Sequence, residues 1–171
     1  MSELRAATPD DAGAICAIYN PYVATTTITF EEAPVTETAM ATRIGELLPT
    51  HPWWVSVVGG AITGYAYAAQ WRTRSAYRYS VETTVYVAPG ACGCGVGTQL
   101  YRALLDDLSQ RRFHCAMGGI ALPNAASVAL HEKMGFAKVA HFRQVGAKFG
   151  RWIDVGYWQR QLLDQRGLDS A

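Results

Sequence analysis

The run Gly93-Cys94-Gly95-Val96-Gly97-Thr98 limits what this chain can become more than any other segment. Before it lies an apolar, β-branched stretch, Val81–Val87, that reads as a strand. After it comes an amphipathic stretch from about Gly97 to Arg111, striped by Val96, Leu100, Ala103, Leu104 and Leu108. A helix that starts on such a loop leaves its first backbone N–H groups unpaired, and its dipole adds positive potential there. Glycines let the backbone approach a phosphate closely, so the loop reads as a pyrophosphate cradle. A plain flexible turn is the competing reading. The loop is not a Walker sequence, because no Lys follows the last glycine. Nor is it a dinucleotide fingerprint, because Thr98 or Leu100 stands where the third glycine belongs.

The flanking sequence alternates strands and helices around this loop. Leu4–Ala7 predicts a strand. Thr8-Pro9-Asp10-Asp11 predicts a helix start, with a capping Thr, Pro at the first position and an acid three residues after the cap. Ile15, Ile18, Tyr19 and Tyr22 continue it at helical spacing until Pro21 bends or ends it. Residues Thr25–Phe30 read as extended or loop, and Thr36 to Leu48 as a second helix stopped before Pro49. Trp53–Val58, Gly59-Gly60 and Ala61–Trp71 read as a hairpin. Ala116–Leu122 is a further strand. Asn124 caps a helix ending at Met134, with Gly135 as its stop and Phe136 as the apolar residue after it. Val139–Val145 and Ile153–Leu162 read as the last strands, and the tail from Asp164 is polar and loose. The order is β-α-α-β-β-β-α-β-α-β-β. This is an α/β (α+β) chain with one mixed, mostly antiparallel sheet flanked by helices, in a single domain over residues 1–171.

Composition removes several functions. With 171 residues, half of them hydrophobic and 17% charged, the chain is an ordinary globular domain. The net charge is +1 and there is no basic run or stacking platform, which argues against a nucleic-acid partner. No membrane-length apolar run and no signal-peptide pattern occur, so the expectation is cytoplasmic, without membrane attachment. Of four cysteines, only Cys92 and Cys94 form a tight pair, and His114-Cys115 is a poor second half for a metal site; no metal and no disulfide are expected. Trp53, Trp54 and Trp158 read as core or as dimer contacts.

Two segments together resemble a known family. Val85-Tyr86-Val87, the glycine-rich turn and Thr98-Gln99-Leu100-Tyr101 look like the acetyl-CoA-binding motif of the GNAT acetyltransferase superfamily. Asn124-Ala125-Ala126-Ser127-Val128-Ala129-Leu130-His131-Glu132-Lys133-Met134-Gly135-Phe136 resembles its second motif. The phosphinothricin (methionine sulfoximine) acetyltransferase branch is similar in three further stretches. These are Thr27–Glu32, the group Trp71-Arg72, Arg74, Tyr77, Tyr79, Val81-Glu82 and Val85–Val87, and Gly146–Asp154. The resemblance spans about Leu4 to Leu162. It implies acetyl-CoA as cosubstrate and a homodimer with active sites near its interface. It places Val85, Tyr86, Val87, Gly93, Gly95, Val96, Gly97, Thr98, Asn124, Ser127 and His131 against the coenzyme. One departure stands out. The superfamily usually has a Gln or Arg where this chain has Cys92, and basic residues where it has Gly93 and Cys94. Backbone donors survive there but charge-assisted contacts do not, so weaker coenzyme affinity is expected.

An ammonium must lose a proton before it attacks a thioester, the oxyanion needs donors, and the leaving thiolate needs a proton or a donor. Glu82, a charge in an apolar strand, is the candidate base, and the resemblance puts the catalytic Glu there; the competing reading is an edge carboxylate facing water. The N–H of Val87 is the candidate oxyanion donor, because in the superfamily this strand splays from its neighbour. His131 replaces the Tyr that many members hold near the sulfur. It shares a helix face with Asn124 and Val128, and can donate near neutral pH or simply pack at the helix–sheet junction. Arg72 and Arg74 alternate at a strand end and suit a carboxylate or phosphinate, with Phe30 and Tyr79 lining the side-chain pocket. The acceptor is then a small amino-acid analogue such as phosphinothricin, methionine sulfoximine or sulfone, or arsinothricin, detoxified by acetylation. The alternatives are protein N-termini or polyamines as acceptors, against which the two arginines argue, and a non-catalytic acetyl-CoA-binding module.

Overall fold

The computed structural model describes residues 3–163; the expected loose tail from Asp164 lies outside them. The element order is β1 (Glu3–Ala6), α1 (Ala12–Thr25), α2 (Glu37–Leu47), β2 (Trp53–Val58), β3 (Ala61–Gln70), β4 (Ser80–Val87), α3 (Val96–Gln110), β5 (Cys115–Leu122), α4 (Ala125–Lys133), β6 (Ala137–Lys148) and β7 (Arg151–Gln161). This is the expected sequence of elements. The seven strands form one sheet in the order β1-β2-β3-β4-β5-β7-β6, antiparallel except for the β4–β5 pair.

Strand alternation splits the core into two layers. Trp53, Val55 and Tyr65 face α1 and α2 and pack with Ile15, Ile18, Val23, Met40 and Ile44. Ala66, Ala68 and Val81 face the other way and pack with Leu100, Tyr101, Leu104 and Leu108 of α3 and with Ile120 and Trp158. Each fully buried leucine on α3 contributes about 1.5–3 kcal/mol relative to exposure. Trp53 and Trp158 are thus core residues. Trp54 is half-buried and donates from Nε1 to the Asp107 carboxylate on α3 at 3.0 Å.

Two sequence expectations need correction. Pro21 does not end or bend off the first helix, which runs on to Thr25. Its ring costs about 3 kcal/mol in a helix interior, but the last turn is anchored from outside. Val23 is fully buried, and the Tyr22 hydroxyl donates to the Val87 carbonyl at 2.6 Å. Thr25 and Thr26 hydroxyls bond the carbonyls of Pro21 and Tyr22 at 2.8 and 2.7 Å. β3 ends at Gln70 rather than at Trp71, so Arg72 and Arg74 lie outside the sheet and the period-two argument does not apply to them.

The divergence of β4 and β5 positions the site. They pair only over Ser80–Glu82 with Cys115–Met117. Beyond Glu82 the strands part, as the resemblance implied. Ala88 donates to the Thr63 carbonyl and Gly64 pairs with Val87, so antiparallel alternation turns the N–H groups of Val85 and Val87 away from β3, into the gap.

At the start of α1, Asp11 accepts from the Thr8 backbone at 2.8 Å and from both ends of the Arg5 guanidinium at 2.7 Å. The Arg5 hydrogen bonds, chiefly, hold its carboxyl below the usual range. A depressed folded-state pKa gives stability that is present above the unfolded pKa and lost as pH falls through the folded one. Asp11→Asn is expected to lower stability by about 1 kcal/mol at neutral pH. In urea titrations the gap from wild type should close below about pH 4.

Candidate active site

Three spaces that share lining residues lie where β4 and β5 part. A cavity of about 420 Å³ lies over the glycine-rich turn. A second of about 850 Å³ opens on the α1–α2 side of the sheet. A crevice of about 90 Å³ lies between them. Ile28 borders all three.

The first cavity gathers Val85, Tyr86, Val87, Gly93, Gly95, Val96, Gly97, Thr98, Asn124 and Ser127, all of them expected coenzyme contacts. Gly95 caps α3 with φ of 81°, a left-handed geometry that glycine adopts without the strain a side chain would bring. It aims the helix N-terminus into the cavity. Asn124 caps α4, its Oδ1 accepting from Ser127 N at 3.2 Å. Lys133 also lines this cavity. The sequence reading missed it, although it lies within the second motif. It supplies from α4 a cation that the Cys92-Gly93-Cys94 segment lacks. Cys92 and Cys94 are exposed free thiols, and Cys16 and Cys115 are buried free thiols. Among the described residues no cluster of His, Cys, Asp and Glu could hold a metal ion.

His131 lines the crevice, not the first cavity, and is buried. Its Nδ1 lies 2.8 Å from the Ser127 carbonyl and its Nε2 lies 2.8 Å from the Tyr101 hydroxyl. A carbonyl only accepts, so Nδ1 carries the hydrogen of the neutral ring and Tyr101 donates to Nε2. Burial lowers the pKa of the ring. The chain continues from Tyr101 to the Thr83 hydroxyl at 3.2 Å.

Glu82, Thr84 and Tyr86 alternate along β4 to line the larger cavity, while Thr83 points to the opposite layer. Burial raises the Glu82 pKa, opposed by the charge of Arg72 and by a hydrogen bond from Tyr157. Gly119 makes room for this pair: a Cβ there would stand 3.0 Å from Glu82 Oε1 and 3.1 Å from the Tyr157 ring. Tyr157 packs edge-on against Trp71 and Phe142, with ring centroids 5.2 and 5.8 Å away. Phe30 and Arg72 line this cavity as expected, the guanidinium stacked 4.3 Å from the Trp71 ring centroid.

Arg74 and Tyr79 do not line it. Once the chain leaves the sheet at Gln70, Arg74 opens a short 3₁₀ turn over Ser75–Tyr77. The Tyr79 carbonyl accepts from His114 and Cys115 N–H, and the Arg78 guanidinium covers its ring at 4.5 Å. Tyr157, Tyr67 and Glu31, all on the cavity wall, were not singled out in the sequence, since they lie in strands or loops remote from either motif.

The hydrogen-bond geometry of His131 is directly testable. Long-range ¹⁵N–¹H NMR should find the neutral ring protonated on Nδ1, titrating below the ordinary histidine range near 6.5. An Nε2–H tautomer or an ordinary midpoint would contradict the arrangement.

A family model described as Acetyltransferase (GNAT) domain matches residues 4–156. Phosphinothricin N-acetyltransferase of Streptomyces viridochromogenes is 40% identical over 160 residues, 94% of this chain and 87% of that protein. L-methionine sulfoximine/L-methionine sulfone acetyltransferase of Salmonella typhimurium is 38% identical over 169 residues, 98% of this chain and 99% of that protein. Among solved structures, yncA of Salmonella typhimurium, with its cofactor acetyl-CoA, superposes with a TM-score of 0.92 at 36% identity, covering 99% of both chains. A GNAT superfamily phosphinothricin acetyltransferase from Sinorhizobium meliloti in complex with acetyl-CoA superposes with a TM-score of 0.90 at 34% identity. That match covers 94% of this chain and 88% of the other.

Proposed function

This chain belongs to the GNAT acetyltransferase family, and on that premise we propose how its residues carry out the reaction. It is an acetyl-CoA-dependent N-acetyltransferase whose acceptor is the amino group of a small amino-acid analogue, the class named in its relatives. The observation that carries the assignment of roles is the position of Glu82. It is the last paired residue of β4 before the gap, a half-buried residue facing the larger cavity, while Val85–Val87 further along β4 border the smaller one.

The smaller cavity fits the coenzyme chemically. A glycine-capped helix start, the backbone of Val85–Val87 and the Lys133 side chain surround it. Acetyl-CoA supplies an acetyl thioester there. Glu82 takes a proton from the acceptor ammonium, directly or through a water, and its raised pKa makes the carboxylate a better base than an exposed one. The N–H of Val87, turned into the gap, donates to the carbonyl oxygen as charge develops on it. Arg72 beside Glu82 holds an anionic group of the acceptor. Asn124 and Ser127 flank the coenzyme arm. His131 stands beside them, at the crevice between acceptor and coenzyme. Its neutral N–H is engaged by Ser127, so it passes a proton to the leaving sulfur only from its charged form.

Glu82→Gln is expected to lower kcat by about 10²–10⁴ while acetyl-CoA binding persists; full turnover across pH in that variant would remove Glu82 as the base. Tyr157→Phe removes a hydrogen bond that lowers the Glu82 pKa. The acid limb of the kcat/KM profile should therefore move to higher pH. An unmoved limb would separate Tyr157 from the base.

We also infer a homodimer built on the β6–β7 hairpin. β6 is a sheet edge, and the hairpin exposes apolar side chains from β6 (Val139, Phe142, Val145), from its turn (Phe149) and from β7 (Trp152, 69% exposed). An edge strand with exposed apolar side chains favours pairing with a second copy. Phe142 and Val145 also border the acceptor cavity, so such an interface would adjoin the active site. Light scattering should give a dimer for wild type and a monomer for Trp152→Glu; a monomeric wild type would sink this assignment. Among the described residues no helix is long and apolar enough to cross a membrane.

A further inference from the structure

The relatives' names divide acceptors into two chemical kinds. Methionine sulfone and sulfoximine have uncharged side-chain tips, whereas phosphinothricin carries a phosphinate, a second negative charge beyond its α-carboxylate. The acceptor cavity distinguishes them by what lines it. Its charged lining residues are Arg72, Glu31 and Glu82. Arg72 is therefore the one cationic side chain on the wall, among the described residues, facing two carboxylates.

The nearby cations are committed elsewhere. Lys148 is buried, with its Nζ donating to the Thr29 carbonyl at 2.8 Å. Arg43 is paired with Glu31 at 2.8 Å, outside the lining. Arg74, the second half of the expected guanidinium pair, begins the 3₁₀ turn beyond β3 and does not reach the cavity wall.

The α-ammonium and α-carboxylate of an amino acid are bonded to one carbon, so the groups that hold them must be neighbours. Glu82 and Arg72 are neighbours: the Arg72 charge acts on both Glu82 and Tyr157. With both engaged, the side chain extends toward Phe30, Phe142 and Val145. Phe30 is seated there because Gly146 has no side chain, and any Cβ at that position would collide with the ring. Polar groups on the wall are neutral hydroxyls, including Tyr19, bonded to Thr29 at 2.6 Å, and Tyr67. The one further charged residue is Glu31, whose carboxylate is paired with Arg43 at 2.8 Å. If Arg72 instead gripped a side-chain oxoanion, the α-carboxylate would be left without a cation, so the site serves one anion in either pose.

We propose that this site selects acceptors by side-chain charge, taking α-amino acids with an apolar stem and an uncharged polar tip in preference to those with a second anion. This rests on the reading that the amino group reacts at Glu82. The preference comes from a missing attractive element, a second cation on the wall, because the Glu31 charge is compensated by Arg43.

The test compares methionine sulfone, methionine sulfoximine, phosphinothricin and glutamate as acceptors, by CoA thiol release at low ionic strength. The uncharged acceptors should exceed the anionic ones in kcat/KM by about 10-fold or more. Added salt should narrow the gap by screening. Glu31→Gln, which leaves the Arg43 guanidinium without its carboxylate, should narrow it. Phosphinothricin used as well as methionine sulfone, with the same salt dependence, would overturn the proposal. Calorimetric binding of the same acceptors to the acetyl-CoA-free protein separates this inference from the assigned chemistry. If no acceptor releases CoA but methionine sulfone still binds more tightly than phosphinothricin, the role of Glu82 falls and charge selection stands. Equal binding of the two would remove charge selection.

Discussion

The parting of two parallel strands governs everything else in this molecule. β4 and β5 hold together for three residue pairs and then separate. A strand that leaves its partner exposes backbone donors that must be met by something else. Here they face a cavity bordered by the glycine-capped start of α3 on one side and the capped start of α4 on the other. β4 residues line the cavities on both sides of this divergence, so ligands held in the two can approach each other at β4. Catalysis by proximity needs such a meeting point, with groups held on rigid elements rather than on loops.

Strand alternation then assigns chemistry to faces. Successive residues of β4 look into different layers: Glu82, Thr84 and Tyr86 toward the acceptor cavity, Thr83 toward the Tyr101–His131 chain. One residue of slip would exchange them and destroy both sites. The buried layers on either side hold the register. Tyr65 belongs to one and Ala66 to the other, and the small side chains of Ala66 and Ala68 admit α3 against the sheet.

The wall of the larger cavity is assembled from distant parts of the chain. Thr29 is tied by Tyr19 from α1 and by Lys148 from β6, which fixes the loop carrying Ile28, Phe30 and Glu31. On the opposite side β6 is irregular between Phe142 and Gly146. Asp154 accepts there from Gln144 N at 2.8 Å and pairs with His141 at 2.6 Å. That irregularity brings Phe142 and Val145 to the cavity. The pocket's shape depends on these ties more than on any local preference of the loop.

Local patterns were enough to determine the elements, the capping of the first helix and of α4, and the glycine-rich loop, because each of these is written in residues close together along the chain. Thr8 and Asp11, Thr36, Asn124 and Gly95 act within a turn of where they stand. Glu82 stood out for a related reason, as a charge in an apolar strand, and it lines the larger cavity. The rest was decided by tertiary structure. Pro21 stays helical because Val23 and Tyr22 are held by distant partners. Arg72 and Arg74 look equivalent in sequence, yet the exit of the chain from the sheet at Gln70 leaves one on the cavity wall and one off it. His131 has two readings in the sequence, and its partners Ser127 and Tyr101, which engage both ring nitrogens, appear only in the structure. Tyr157 carries no local signal and Glu31 only its place in the Thr27–Glu32 stretch, since each reaches the cavity wall only when strands and loops far apart in sequence close around one space.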